Sequence, residues 1–401
     1  MELAIVPRLR YPRRPEVSEN PLETLLGRHV EETVRRYLDP ERVEALAEDM
    51  RVVQRHRVHH AGLVAVAFVA SAFEGGTDTE GRILDAWQTY QALGGTPSSE
   101  TSFRRMAHKM VPVLKKLLRR RLRELSREAH PELRGRLESF ADVFVPDGCG
   151  FKLAAALSGS YSGTGQPAEL KLHAVYSVRA GAVISTRTTA GSVHDSDGFA
   201  PTWAPGALYI WDLAFNCYGR FIDARLAGAH VLQRLKDGAN PIALASYGPD
   251  GHRRALAGSD GKPLTFNDAC TFGFVHRQRV LDLDVELEDD QGRKTIARVV
   301  CVPFASEDRY YLTSLPRDVF SAYDVAELYR VRWEVELFFR NWKGGVRLDQ
   351  VRRLSHAASL ELTITASMLA ALLARDINAR LTELSQQFDT VLSPLVETVS
   401  P

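Results

Sequence analysis

Hydrophobic and polar positions change their period near residue 140 of this chain. Before that point the spacing is helical. Glu23–Leu38 and Glu41–His60 carry apolar residues three and four apart among many charges, with no internal proline, and predict two helices. Ile83–Tyr90 predicts a short amphipathic helix that stops at Leu93-Gly94-Gly95. Thr96-Pro97 then restarts the chain as an N-cap with proline at the first helical position. Helix, glycine turn, helix is the outline of a helix-turn-helix, which many all-helical domains share.

After residue 140 the period falls to two. Val143–Val145, Leu170–Val178 and Ala182–Thr188 predict strands, the last two joined across Arg179-Ala180-Gly181. Ala207–Trp211 is a short apolar run of the buried-strand kind, Arg220–Ala229 a helix, and His230–Lys236 a further strand. Turn signals then crowd together, and Val280–Leu287 and Thr295–Val302, joined across Asp290-Gln291-Gly292, predict a β-rich segment, a hairpin or a meander. Tyr310–Ser314 resumes a strand, and Asp324–Lys343 and Ser359–Leu381 predict long helices. The fold class is α/β, a mixed sheet flanked by helices and preceded by an all-helical part.

Composition adds limits. The 401 residues suggest two or three domains, and a net charge of +1 gives no global pull toward polyanions. Four scattered cysteines without a CxxC pair argue for a reducing compartment and against a structural zinc site. No signal-like segment opens the chain. Its most apolar stretches, Gly62–Phe73 and Ile364–Ala374, fall short of the roughly 20 residues a membrane span needs, so a cytoplasmic protein with no membrane partner is expected.

Charge is segregated locally. Between Arg104 and Arg136 stand twelve Lys/Arg and three Glu. Leu114, Leu117, Leu118, Leu122 and Leu125 keep one helical face apolar, while Lys115, Lys116, Arg119, Arg120 and Arg123 crowd the rest. A solvated face is the ordinary explanation of such a run. A nearly one-sign run in a neutral chain also suits contact with a phosphate backbone, with Arg104 and Arg105 at its start.

Three acids hold informative places. Asp147 follows Val143–Val145 at the expected end of a strand, Asp212 follows Leu208–Trp211, and Glu336 lies among Trp333, Val335, Leu337, Phe338 and Phe339. Carboxylates at the ends of adjacent strands, with a third on a helix across them, can hold Mg²⁺ by oxygen ligation. Each has a plainer reading: Asp147-Gly148 as a turn, Asp212 as a cap, Glu336 as the partner of Arg340. Asp142 competes with Asp147 for the first role, and His194, Asp195 and Asp197 form a weaker candidate metal cluster. At roughly 100° per residue, Tyr329, Arg332, Glu336 and Lys343 share one arc about 60° wide. Such cations beside a metal-ligand carboxylate make sense if the substrate is itself anionic.

The spacing Y-x2-R-x3-E-x6-K, here Tyr329, Arg332, Glu336 and Lys343, resembles the signature of bacterial insertion-sequence transposases of the DDE superfamily. The surroundings are similar too: Val145-Pro-Asp-Gly-Cys, Lys171-Leu-His-Ala-Val-Tyr, His194-Asp195, Ile210-Trp-Asp-Leu-Ala-Phe-Asn, Gln233-Arg-Leu-Lys, Tyr311-Leu-Thr-Ser-Leu and the segment Leu328–Phe339. The resemblance covers about 140–375. It implies an RNase H-like catalytic core over 137–376 with a β-rich insertion about 240–305, a helical DNA-binding domain over 1–136 and a tail over 377–401. It implies a catalytic, metal-binding triad of Asp147, Asp212 and Glu336 holding two Mg²⁺ ions, with Mn²⁺ able to substitute. Tyr329, Arg332 and Lys343 would contact DNA, and Tyr310 or Tyr311 would hold a flipped base. Cys149 departs from the family's usual Thr without touching a ligand.

The expected function is therefore transposition. Water attacks the phosphodiester at the element's end, and the freed 3′-hydroxyl attacks target DNA in line. Partners would be double-stranded DNA, as terminal inverted repeats and as target, and a second copy of the chain in the DNA complex. A metal-dependent nuclease without strand transfer, or a catalytically inactive DNA-binding descendant of a transposase, are the alternatives.

Overall fold

The computed structural model describes residues 21–397 apart from 54–58, 74–78, 129, 131, 200–201, 237, 249–250, 259–260, 272–279, 305–306 and 346–347. Its first part is helical: α1 (Pro21–Leu38), α2 (Pro40–Asp49), α3 (Ala61–Ala70), α4 (Thr79–Ala92), α5 (Glu100–Lys109) and α6 (Val111–Arg127). The single helix expected over Glu41–His60 does not form. α2 gives out at Met50, Arg51 takes a left-handed φ of 55°, and α3 starts afresh with the His60 ring accepting from the Leu63 N–H. α3 is apolar on every side and is accordingly buried. At Gly62 a Cβ would lie 1.9 Å from the Pro40 carbonyl oxygen, so glycine lets α2 and α3 touch. The Gly62 N–H donates to the buried Glu44 carboxylate at 2.8 Å. Leu93-Gly94-Gly95 ends α4 as expected, but the cap of α5 is Ser99, not Thr96.

The middle of the chain contains β1 (Val143–Lys152), β2 (Glu169–Ser177), β3 (Ala182–Ala190), α7 (Asp195–Gly198), β4 (Leu208–Trp211), α8 (Tyr218–Leu226), β5 (His230–Arg234) and β6 (Ile242–Tyr247). β7 (Arg253–Ala255), β8 (Leu264–Thr265), α9 (Phe266–Thr271), β9 (Leu281–Glu288), β10 (Lys294–Phe304) and β11 (Glu307–Thr313) follow. Among the described residues these strands make one sheet in the order β3-β2-β1-β4-β5-β11-β10-β9-β6-β7, with β8 on β6. β1, β4 and β5 run parallel, and β2 and β3 form an antiparallel hairpin. The turn-rich stretch about 240–305 extends this same sheet antiparallel, because β11 returns to pair with β5. Asp147-Gly148 is not a turn: β1 runs straight through it.

The final part is α10 (Ala322–Tyr329), a 3₁₀ turn over Arg330–Arg332, α11 (Trp333–Gly345), a second 3₁₀ segment Leu348–Arg353 and α12 (Ala357–Glu397). The one helix expected over Asp324–Lys343 is thus interrupted, and it begins earlier, under a Ser321/Asp324 capping box. α12 continues through the expected tail as far as Glu397. By length and composition its Ala357–Gln386 segment could cross a membrane, yet 72% of that apolar window is buried inside the protein, as in a core helix.

Packing divides the molecule differently from the sequence boundaries at 136 and 376. Described residues within 1–121, 151–169 and 340–401 form one compact unit, and those within 122–150 and 170–339 the other. In the first, α12 packs on α1, α3 and α5, and the buried Arg121 makes a two-pronged pair with Asp376 at 2.7 and 2.9 Å. In the second, Tyr209, Trp211, Phe215, Phe221, Val231, Leu283, Val299 and Leu312 belong to one core on one side of the sheet.

Candidate active site

Two of the three acids meet through strand register. Val143 pairs with Leu208 across the parallel β1 and β4. Asp147 lies four residues beyond Val143 and Asp212 four beyond Leu208 (147 − 143 = 212 − 208), so continuing this register past the paired residues brings the two acids to matching positions on neighbouring segments. Side chains alternate along a strand, so Val143, Val145 and Asp147 share a face with Leu208, Ile210 and Asp212. That face is opposite the one through which Tyr209 and Trp211 enter the core. Asp142 is occupied elsewhere: its oxygens accept from Ser177 Oγ at 2.6 Å and from the N–H groups of Val143 and Arg179, closing the turn after β2.

The 3₁₀ interruption brings in the rest. Residues three apart eclipse in such a turn, and it places the Arg332 guanidinium 5.9 Å from the centre of the Tyr329 ring. One turn further on, Arg332 Nη2 pairs with Glu336 Oε1 at 2.6 Å, so Glu336 takes its i−4 neighbour as partner. Tyr329 also packs against Tyr311 with ring centres 5.1 Å apart, and Tyr311 stands in register with Arg234 of β5. The side chain of Lys343 lies outside the described residues, so the fourth member of the stripe is placed by backbone only.

Electrostatics tie these groups together. The Asp147 carboxyl is raised to about 6, chiefly by burial with smaller pushes from Asp212 and Glu336, against the Gly148 N–H and Arg332, which lower it. Burial works against the Arg332 cation, but Tyr329, Asp212 and Glu336 more than compensate and raise its pKa. Burial raises Tyr329 strongly. Asp147 Oδ1 accepts the Gly148 N–H at 2.7 Å and Asp212 Oδ1 the Leu213 N–H at 2.8 Å. Tyr329 Oη, Arg332 Nε and Arg234 Nε are buried polar atoms without hydrogen-bond partners.

Three carboxylates whose charges act on one another are the oxygen donors a hard divalent cation takes. The closeness expected from the sequence is nevertheless incomplete. Among the described residues no three His, Cys, Asp or Glu side chains stand close enough to hold a metal ion, and Glu336 is engaged by Arg332. The His194, Asp195, Asp197 cluster does not form either. The exposed His194 ring accepts the Ser196 N–H to cap α7, whereas Asp195 lies 3.3 Å from Lys171 Nζ.

The two tyrosines of β11 part company because neighbours on a strand face opposite ways. Tyr310 packs edge-on to Phe266, with ring centres 5.3 Å apart, on the core side away from Asp147 and Asp212. Tyr311 is on the acid side but buried. The aromatic that stands open there is Trp333, 55% exposed and 5.8 Å from the Arg332 guanidinium, with Leu337 42% exposed one turn on. Sequence reading missed Trp333 and Arg234. A tryptophan inside an apolar helical run gives no sign that it points outward.

In the basic run, α6 buries Leu114, Leu118, Leu122 and Leu125 as its periodicity requires. Several of its cations serve the unit's own packing: Arg104 pairs with Glu100, Lys115 with Glu361 and Lys116 with Asp49. Arg120 is likewise engaged. Arg105, Arg119 and Arg123 are exposed and pair with no acid among the described residues.

Comparison with known proteins gives a consistent family. The profile of the family described as Transposase DDE domain matches residues 139–373, more than half of the chain. A segment of 69 residues is 46% identical to the putative transposase InsL for insertion sequence element IS186A of Escherichia coli strain K12, covering 16% of this chain and 18% of that relative. The transposase for insertion sequence element IS421 of Escherichia coli matches over the same shares. The transposase for insertion sequence element IS231F of Bacillus thuringiensis subsp. israelensis is 21% identical over 355 residues, 80% of this chain and 74% of the relative.

Proposed function

The chain belongs to the transposase DDE domain family, and on that premise we propose that it is a DNA transposase whose triad is Asp147, Asp212 and Glu336. The observation that carries the reading is the level placement of Asp147 and Asp212 on one sheet face, with the Glu336–Arg332 pair coupled to both. The strand order β3-β2-β1-β4-β5, with β1, β4 and β5 parallel, supports an RNase H-like core, and β6–β10 would be its insertion between the second and third acids.

The donor chemistry fits a divalent cation, and Asp147, Asp212 and Glu336 would hold it, Glu336 exchanging its bond to Arg332 for the ion. Two Mg²⁺ ions, or Mn²⁺ in their place, would supply Lewis-acid stabilisation of the attacking and leaving oxygens in a phosphodiester displacement. The protein's own groups do the rest. Arg332, once released, is a fork-shaped donor for a phosphate beside the acids. Tyr329 Oη and Arg234 Nε are buried donors that a phosphate oxygen would satisfy. Trp333 and Leu337 offer an apolar surface to a base displaced at the strand end. Lys343 is proposed as a further DNA contact by the signature alone.

The same geometry serves end cleavage and strand transfer, since each is an in-line attack by an oxygen on a phosphodiester. The helices before β1 would bind the terminal inverted repeats, with Arg105, Arg119 and Arg123 free for phosphates and Arg104, Lys115, Lys116 and Arg120 holding the fold. Two ends must be joined, so a homodimer on DNA is expected, acting at the cytoplasmic nucleoid.

The test is Asp212→Asn and Glu336→Gln, each assayed for Mg²⁺-dependent cleavage of element ends and for joined products when a second duplex is supplied. Each should lose cleavage by a factor on the order of 10³ or more, several kcal/mol of transition-state stabilisation. Wild-type cleavage in both would remove the triad, and cleavage by the wild type without joined products would make the protein a nuclease.

A further inference from the structure

The geometry points to Lys171 and Asp195 as positioning residues for Asp147, acting through the backbone at Gly148. The inference rests on the reading of Asp147 as a catalytic carboxylate. It adds the device that fixes it.

A carboxylate on a strand is placed no better than the strand itself, and β1 continues past Asp147 through two glycines, Gly148 and Gly150. Gly148 is where the loop after β3 presses on β1. A Cβ built there would lie 2.3 Å from Asp195 Oδ1 and 3.0 Å from Asp195 Cγ, so the Asp195 carboxylate occupies the space a side chain would need. Only glycine leaves this approach open. Asp195 is itself held: Lys171 Nζ lies 3.3 Å from its Oδ1 and donates to the Val193 carbonyl at 3.0 Å, so one ammonium fixes both the loop and its acid.

His173, two residues along β2 from Lys171 and on the same face, completes the clamp. Its Nε2 is 2.8 Å from Thr189 Oγ1, and its ring fills the place of a side chain at Gly198, where a Cβ would lie 2.1–2.3 Å from three ring atoms. Burial lowers the His173 pKa, against the pull of Asp195. Its Nδ1 and the Asp195 Oδ1, both buried and without hydrogen bonds, face each other at 3.7 Å. The buried His173 Nδ1 has no hydrogen-bond partner, which is costly to stability, and polar atoms left in that state sit next to function more often than elsewhere. The path runs from β2 through Lys171 to Asp195, across to Gly148, and so to the residue before it, Asp147.

The experiment uses the full chain and compares Lys171→Met, Asp195→Asn, Gly148→Ala and the double variant Gly148→Ala/Asp195→Ala with Asp195→Ala alone. Cleavage rate, the Mg²⁺ concentration for half-maximal rate and the Kd for end DNA are read together. Groups that orient a ligand carboxylate cost about 10–100-fold in activity or metal affinity when lost. Lys171→Met and Asp195→Asn should therefore cut the rate about 10-fold or more and raise the Mg²⁺ requirement by a similar factor, with DNA Kd within about twofold. Gly148→Ala should cost much less in the Asp195→Ala background, since the clash is gone. An unchanged Mg²⁺ requirement in the two conservative variants, or a DNA Kd that weakens in step with the rate, overturns the proposal. So does the same penalty for Gly148→Ala in both backgrounds, which also decides the matter should one single variant fold poorly. Asp147→Asn serves as reference: if it cleaves like wild type, the catalytic reading itself has failed.

Discussion

Through one side of β4, Tyr209 and Trp211 enter a closed core where Trp211 is fully buried; through the other, Asp212 joins Asp147, Arg332 and Tyr329. The apolar side keeps its large groups in contact: Trp203 meets both rings, and Phe215 and Phe221 lie within the same cluster. The polar side leaves Tyr329 Oη, Arg332 Nε and Arg234 Nε unpaired and holds an acid whose ionisation burial resists. Trp211 Nε1 is unpaired as well, so the contrast between the sides lies in the acid and guanidinium groups of the polar one. Binding sites have this character because groups prepared for a ligand are unsatisfied until it arrives.

Substitutions on the two sides should therefore move stability in opposite directions. The largest effect is expected on the apolar side. Trp211→Ala should cost about 3–5 kcal/mol, read as a lower urea midpoint, because the cavity left among Trp203, Tyr209 and Phe215 cannot fully collapse. A loss below about 1 kcal/mol would show that this side is no tighter than the other.

Next comes Asp147→Asn, with the sign reversed. The carboxyl's pKa is raised from 3.8 to about 6, so its contribution to stability is present below about pH 4 and is lost as pH rises through 6. In metal-free buffer at pH 8 the asparagine variant should be more stable than the wild type by about 3 kcal/mol, with the gain gone at pH 4. Cleavage should vanish in the same protein. Denaturant melts at both pH values check it, and a variant less stable at pH 8 would contradict the burial of that charge. The smallest effect is expected from Tyr329→Phe. Deleting a buried hydroxyl that has no partner should leave stability unchanged or raise it by up to about 1 kcal/mol, while binding of end DNA weakens. A clear loss of stability would mean that the hydroxyl is satisfied in the folded protein.

Much of the architecture is legible from period alone. The strands from Val143, Leu170 and Ala182 and the pair across Asp290-Gln291-Gly292 are where the period of two puts them, and the strand from Leu208, buried at every position, is where the short apolar run puts it. The errors share a cause. Asp147 looks like the end of a strand locally, yet β1 carries on through Gly148 to Lys152. Glu41–His60 and Asp324–Lys343 look continuous, yet the left-handed Arg51 and the 3₁₀ turn at Arg330–Arg332 interrupt them without proline or glycine. Thr96-Pro97 offers a cap, and Ser99 takes it. Spacing brought Tyr329, Arg332 and Glu336 to notice. It carried no information about Trp333's exposure, or about which cations of α6 were already engaged by Glu361 and Asp49.

The order of residues by itself determined most of the elements, the apolar stripe of α6 and the candidacy of the three acids, since these depend on neighbours within a few positions. Tertiary structure decided which acids are level, that Tyr310 and Tyr311 face opposite ways from the site, and that Asp195 rests on Gly148. Those relations join positions tens of residues apart, and register, burial and steric exclusion fix them only once the strands have paired.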